Sequence, residues 1–206
     1  MTANHGNAFP VSRRSVLTAG GAALAVVLGL SGCAQEDALA QQAKAGDNKN
    51  YVAGDGSVTE FAAADRKSAI PIEGTLFDGT AVTPEAFQGK VTVLNFWFAA
   101  CAPCRVEAPE LEALHQEFKT QGVQFFGVNL RDEKATAEAF EKSFNLTYPS
   151  FNDKDGAVLL AVSGLVPPGA VPTTLVLDKQ GRVASRVLGE IQSGTLKSLI
   201  AAAVAE

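Results

Sequence analysis

The chain has 206 residues, 47% apolar and 19% charged, with a formal net charge of −5. Those values describe one ordinary globular domain plus additional segments. They exclude nucleic acid as a partner, because phosphate binding depends on Lys/Arg clusters and the sequence contains none.

The additional segments lie at the front. Residues 1–12 are polar, Arg13 and Arg14 follow, and Val16 to Leu30 is almost continuously apolar. A run of about 15 residues is short of the roughly 20 that span a bilayer. Basic region, short apolar run and small-residue boundary together read as a secretory signal over residues 1–32. A buried N-terminal helix would suit Gly20, Gly21 and Gly29 poorly. Ser12-Arg13-Arg14-Ser15-Val16-Leu17 resembles the twin-arginine export pattern, with Val16 where that pattern carries Phe, so the general secretory route stays open. Leu30-Ser31-Gly32-Cys33 resembles a bacterial lipobox, in which the Cys33 thiol is the nucleophile for lipid transfer and becomes the mature N-terminus. Cleavage there removes two arginines and no acid, leaving the mature chain more acidic. Membrane attachment would then rest on the acyl chains of the anchor, on the outer face of the cell membrane.

Residues 33–58 are rich in Ala, Gln, Gly, Asp, Asn and Lys and read as a flexible tether with a reach of roughly 25–30 Å. Residues 59–206 are long enough for one core. Asp78-Gly79 between Phe77 and Thr80 signals a hairpin. Thr83-Pro84-Glu85 opens a short helix that Gly89 ends. Val91–Phe98 is a strand buried on both faces. A helix follows from about Cys101 to Gln121, closed by Gly122. A second buried strand is expected over Val123–Leu130, a helix over about Ala135–Phe144, and a helical piece near Ala157–Val162. Thr173–Leu177 and Val183–Leu188 flank Asp178-Lys179-Gln180-Gly181 as a hairpin, and a helix covers about Ser193–Val204. This order predicts an α/β domain with one parallel crossover, then antiparallel strands, and helices on both faces of a mixed sheet.

The chemistry lies where the first buried strand meets its helix. Cys101 and Cys104 are i and i+3 neighbours on a first turn, about 5–6 Å apart and able to close a disulfide. Pro103 fixes φ and lacks the N–H that a helix start leaves unpaired. The helix N-terminus favours a Cys101 thiolate, making Cys101 the attacking sulfur and Cys104 the resolving one. A zinc site needs four ligands, and His115 lies roughly 16 Å along the helix from Cys104, so no metal is expected. Copper would want Met or His partners, and the only Met is Met1. As a structural crosslink the pair would close a tiny loop and stabilise little. No cofactor is called for.

Val93-Leu94-Asn95-Phe96-Trp97 through Cys101-Ala102-Pro103-Cys104-Arg105-Val106-Glu107-Ala108-Pro109-Glu110-Leu111 resembles the membrane-anchored thioredoxins of the TlpA/ResA type. Phe125-Phe126-Gly127-Val128-Asn129 and Val171-Pro172-Thr173 extend the resemblance over about residues 60–206. It implies a thioredoxin-like three-layer fold with an extra N-terminal β-hairpin and a helical insertion. It also implies reduction of protein disulfides outside the cytoplasm, for example those of apocytochrome c, with a membrane electron donor to restore the dithiol. By position, Pro172 would be a cis-proline facing the dithiol, with Val171 and Pro172 pairing their backbone with the client peptide. Pro109 would kink the active-site helix. Glu107 would be the active-site glutamate, tuning or relaying a thiol proton, against the alternative of a solvated helix acid.

Two positions depart from ordinary thioredoxins. Asn95 stands where they carry Asp, and it reads as structural. Ala100 stands where they carry Trp. Trp97 is a candidate substrate contact or, more simply, a packing wall beside the dithiol. The same chemistry run in reverse would make a disulfide oxidant. A thiol peroxidase would want a Thr beside Cys101, and a copper-binding chaperone would retain metal on the reduced pair; both are the remaining alternatives.

Overall fold

The protein is described by a computed structural model, which covers Met1 and residues 51–206. The expected signal at 1–32, the Cys33 lipobox and the tether up to residue 50 lie outside the described residues.

Eight strands and four α-helices follow one another among the described residues. Strands β1 (Ser57–Glu60), β8 (Val183–Leu188), β7 (Thr173–Leu177), β4 (Thr92–Trp97), β5 (Gln124–Asn129) and β6 (Ser150–Asn152) form one sheet in that order. Strands β4, β5 and β6 run parallel, while β7 pairs antiparallel with both β4 and β8. Helix α1 (Ala102–Phe118) connects β4 to β5, and α2 (Lys134–Phe144) connects β5 to β6. Helix α3 (Ala157–Ala161) precedes β7, and α4 (Ser193–Ala205) ends the chain. Gly74–Thr75 (β2) and Ala81–Val82 (β3) form a separate two-stranded hairpin around Asp78-Gly79. This is the α/β architecture expected from the sequence, a mixed sheet with helices on both faces, carrying an N-terminal hairpin and an extra helix.

The sheet is buried on both faces because its strands alternate between two cores. Leu94 and Phe96 of β4, with Phe126 and Val128 of β5, face one cluster that takes in Phe140 of α2, Val158 of α3 and the N-terminal hairpin. Val93, Phe125 and Val176 face the other, against Leu111, Leu114 and Phe118 of α1 and Leu196 and Ile200 of α4. Each fully buried Leu, Val or Phe side chain contributes about 1.5–3 kcal/mol of transfer free energy before the entropy of ordering it.

Two expectations need correction. The fold contains two parallel crossovers, not one, because the three-residue β6 extends the parallel side. The ordered fold also begins before residue 59. Ser57–Glu60 pairs antiparallel with β8, and Val52 already bridges to Ala170. Residues 51–58 therefore belong to the domain, and the sheet edge rather than burial orders them: Ser57, Val58 and Glu60 are exposed. The short helix after Thr83 is a 3-10 turn over Pro84–Phe87 that buries Phe87.

The β7–β8 hairpin turns on Asp178. Its carboxylate accepts the backbone N–H groups of Gln180 and Arg182 at 2.9 Å each. It also accepts the guanidinium groups of Arg182 at 2.8 Å and Arg66 at 3.0 Å. Gly181 takes φ +74°, where a side chain would be strained.

Candidate active site

The dithiol sits where β4 gives way to α1. The last strand residue, Trp97, is followed by a tight turn in which the Cys101 N–H donates to the Phe98 carbonyl at 3.1 Å. Asn129 and Asp132 brace that turn from the end of β5. Asn129 Oδ1 accepts the N–H groups of Arg131 and Asp132, and Asp132 Oδ2 accepts the Ala99 N–H at 2.6 Å. Cys101 is the N-cap of α1, with extended backbone at φ −74°, ψ 110°. Its sulfur accepts the Cys104 N–H at 3.3 Å, in the place of a capping oxygen. Cys101 and Cys104 are joined by a disulfide across a Cα–Cα distance of 5.3 Å. Once reduced, Cys101 Sγ would keep that donor and the positive end of α1, both of which favour thiolate over thiol.

Pro109 lies inside α1, where its nitrogen offers no hydrogen to the carbonyl one turn back. The inward face of the helix runs Cys104, Glu107, Ala108, Leu111, Leu114 and Phe118, at i, i+3, i+4, i+7 spacing. Glu107 thus lies on the apolar face and is 1% exposed, which removes the solvated-acid alternative. Its carboxyl is satisfied on both oxygens. Asn95 Nδ2 donates to Oε1 at 2.7 Å, and the Ile191 N–H donates to Oε2 at 2.9 Å. Burial pushes the Glu107 pKa up to about 8, against the pull of the hydrogen bonds from Ile191 and Asn95, with Glu190 and Glu110 pushing the same way as burial. The titration of Glu107 thus falls near neutral pH rather than in the ordinary carboxylate range.

Asn95 is the hub of this buried arrangement. Its second amide hydrogen goes to Thr174 Oγ1 on β7 at 3.1 Å, so one side chain ties β4, α1 and β7 together. Its structural reading holds, with the added role of orienting Glu107. Asn95, Trp97, Cys104 and Tyr148 line the same narrow cleft.

The Val171–Pro172 peptide bond is cis. Thr173 pairs with Phe96, which brings Pro172 level with the end of β4, where the dithiol turn begins. The Pro172 carbonyl accepts the Gly189 N–H at 2.8 Å. Trp97 needs correction as a substrate contact. Its indole lies 4.4 Å from the Phe140 ring, and 3% of the residue is exposed, so it is a wall of the core and offers nothing to a client in this state. Gly127 makes room for it: a Cβ there would fall 2.6 Å from Trp97 Nε1.

The centre is closed. Cys101 and Val171 are 0% exposed and Cys104 is 2% exposed. Tyr51, ahead of the expected domain start, packs edge-on against Phe98 at 5.7 Å between ring centres, and Arg131 lies over the same ring at 4.5 Å. Sequence reasoning missed Tyr51, Val52, Thr174 and the Ile191 backbone as parts of the site. Only tertiary pairing assigns them there.

Residues 66–186 match the model of the AhpC/TSA family. Among solved structures, the chain is similar to a secreted thiol-disulfide isomerase from Corynebacterium glutamicum: 32% identity, TM-score 0.66, 74% of this chain and 95% of that one. A DsbF homologue from Corynebacterium diphtheriae matches at 33% identity and TM-score 0.63, over 72% and 94% of the two chains. Among curated proteins, the thiol-disulfide oxidoreductase ResA of Geobacillus kaustophilus is 37% identical over 103 residues, 50% of this chain and 57% of that protein. The matched regions span 57–65% of the length of the first such relatives.

Proposed function

Because this chain belongs to the AhpC/TSA family, and within it shares the dithiol site of thiol–disulfide oxidoreductases, we propose that it catalyses thiol–disulfide exchange on protein clients outside the cytoplasm. The single observation that carries the reading is the bonded Cys101–Cys104 pair at the N-cap of α1, with cis-Pro172 alongside and the buried Glu107 one helical turn along.

In the reducing direction, the Cys101 thiolate attacks a client disulfide. A Cys101–client bond forms, and the client's other sulfur leaves as thiolate. Cys104 then attacks Cys101 Sγ, the second client thiolate departs, and the Cys101–Cys104 disulfide is left behind. Cys104 must lose its proton to act, and Glu107 is the group in the buried wall able to exchange one near neutral pH. An ionised Glu107, one helical turn along α1 on the same face, would disfavour the Cys104 thiolate.

The finer reading is a reductase attached to the membrane by a lipid on Cys33, re-reduced by a membrane protein that delivers electrons. Disulfides of apocytochrome c are the client class that the ResA-like site suggests. A reduction potential near the low end of the about −270 to −120 mV spanned by such folds would support reduction; a value near the high end would assign oxidation instead. Cys104→Ser removes the resolving thiol, so clients should accumulate as mixed disulfides on Cys101 in cells. Absence of any such adduct overturns the reading. Mass spectrometry of detergent-extracted protein should find acylated Cys33, and an unmodified soluble product rejects the anchor.

A further inference from the structure

An exchange centre must let a client reach Cys101 Sγ, yet Cys101 has no accessible surface. The Val171–Pro172 edge beside it is also already paired. Val52 donates its N–H to the Gly169 carbonyl at 2.9 Å, and its carbonyl accepts the Val171 N–H at 3.2 Å, closing a parallel bridge centred on Ala170. Val171 N–H is the backbone group next to the cis-proline. The next residues are built for a close crossing. Gly54 passes so near Leu188 and Gly189 that a Cβ would lie 2.3 Å from their backbone atoms. Gly189 is in turn the donor to the Pro172 carbonyl. Gly56, at φ +79°, then donates to the Leu188 carbonyl at 2.7 Å and leads the chain into β1. Tyr51 sets its ring against Phe98, whose carbonyl holds the Cys101 amide.

We propose that Tyr51–Gly54 is an internal strap that occupies the backbone edge an extended client peptide uses, so that client binding and strap release compete. The strap presents what a peptide strand would: one N–H, one carbonyl and an aromatic side chain, laid along Gly169–Val171. It differs in being attached, which gives it a high effective concentration at the edge and requires a client to displace it. The rest of the ribbon, from Gly56 through β1, is held by the β8 ladder and can stay paired while Tyr51 and Val52 swing away. The partner that fits the vacated edge is an extended, unfolded segment carrying cysteine, since backbone pairing of this kind reads main chain rather than a folded surface. This inference rests on the exchange chemistry proposed above.

The test uses the full chain in wild-type form and as two variants. Val52→Pro deletes the N–H given to Gly169, and Tyr51→Ala removes the ring contact while leaving the backbone able to pair. Dithiothreitol serves as the probe. Its first thiolate attacks the Cys101–Cys104 disulfide at Cys101, Cys104 leaves as thiolate, and its second thiol closes the dithiothreitol ring to release Cys101. Reduction is followed by the fluorescence of the sole tryptophan, Trp97. Losing one backbone hydrogen bond shifts the strap's opening equilibrium by roughly two- to tenfold, and the reduction rate of Val52→Pro should rise by that factor. Amide exchange at Val171 should accelerate in step, while the reduction potential against glutathione stays unchanged. Tyr51→Ala should shift both rates in the same direction. Equal reduction rates and equal Val171 exchange in all three folded proteins overturn the strap. Failure of the exchange chemistry reads differently: no form reduces insulin disulfides, whatever Val171 exchange shows.

Discussion

Replacing Glu107 by Gln separates the carboxyl's charge from its shape. A pKa raised from the ordinary 4.5 to about 8 means that the folded protein holds a proton the unfolded chain releases. Below pH 4.5 both states are protonated and the buried group carries no electrostatic penalty. As pH rises towards 8 the unfolded state ionises while the native state resists, so stability is lost across that window and then levels off. Over the whole window the shift amounts to about 5 kcal/mol, of which about 4 kcal/mol falls between pH 5 and pH 9. Glu107→Gln has no such titration. It carries a different cost, because both carboxyl oxygens accept N–H groups and the new amide must set its NH2 against either Asn95 Nδ2 or the Ile191 N–H. That mismatch costs about 1–3 kcal/mol at every pH. Urea unfolding of the oxidised protein should therefore find the variant less stable than wild type at pH 5 and equal or more stable at pH 9. His115, Asp153 and the other groups with shifted pKa values are common to both proteins and cancel in the comparison. Two stability curves that stay parallel from pH 5 to 9 would refute the raised pKa of Glu107. In the reduced protein, the same variant should move the thiol titration, and an unmoved titration would dissociate Glu107 from the dithiol.

Asn95→Asp places a second carboxyl 2.7 Å from Glu107 Oε1, so the pair should share one proton and lose stability more steeply than wild type above pH 7, read by the same urea series. Gly127→Ala drives a methyl into Trp97 Nε1 and Ser150 Oγ, which should cost about 1–3 kcal/mol and shift the emission of Trp97; an unchanged spectrum and melting temperature would contradict the packing. Asp178→Ala leaves Arg66 with Glu206 and the Phe61 carbonyl but frees two turn amides and one partner of Arg182, so calorimetry should find a loss of about 1–3 kcal/mol.

The parts of the fold legible in the sequence are those whose residue pattern already satisfies both local and tertiary demands. Val91–Phe98 is apolar throughout because both faces of β4 are covered, and Gly181 and Asp178 mark their turn by backbone chemistry that no tertiary contact alters. The cysteine pair announces itself because i, i+3 spacing at a strand-to-helix junction leaves little else for two thiols to do. β6 was not legible: Ser150-Phe151-Asn152 is three residues long, follows Pro149 and offers one apolar side chain. Ser57–Glu60 reads as tether because an edge strand with three exposed residues needs no apolar alternation. The burial of Glu107 has no signal in its neighbours Val106 and Ala108, since which helix face turns inward depends on the sheet beneath. Trp97 lines one cleft with Cys104, and its role as a core wall depends on the Phe140 ring packed against it, which the sequence around it does not signal.

The same polar ribbon that looked like linker solves a problem at the far side of the sheet. Without Ser57–Glu60, the outer edge of β8 would carry unpaired backbone groups, a ready template for another chain. The covering strand instead ends the sheet with exposed Ser57 and Glu60. At the opposite margin β6 is short and preceded by Pro149, which has no N–H to offer. Both margins are thus poor partners for strand addition, which under the proposed function would leave the backbone beside cis-Pro172 as the edge open to extended clients.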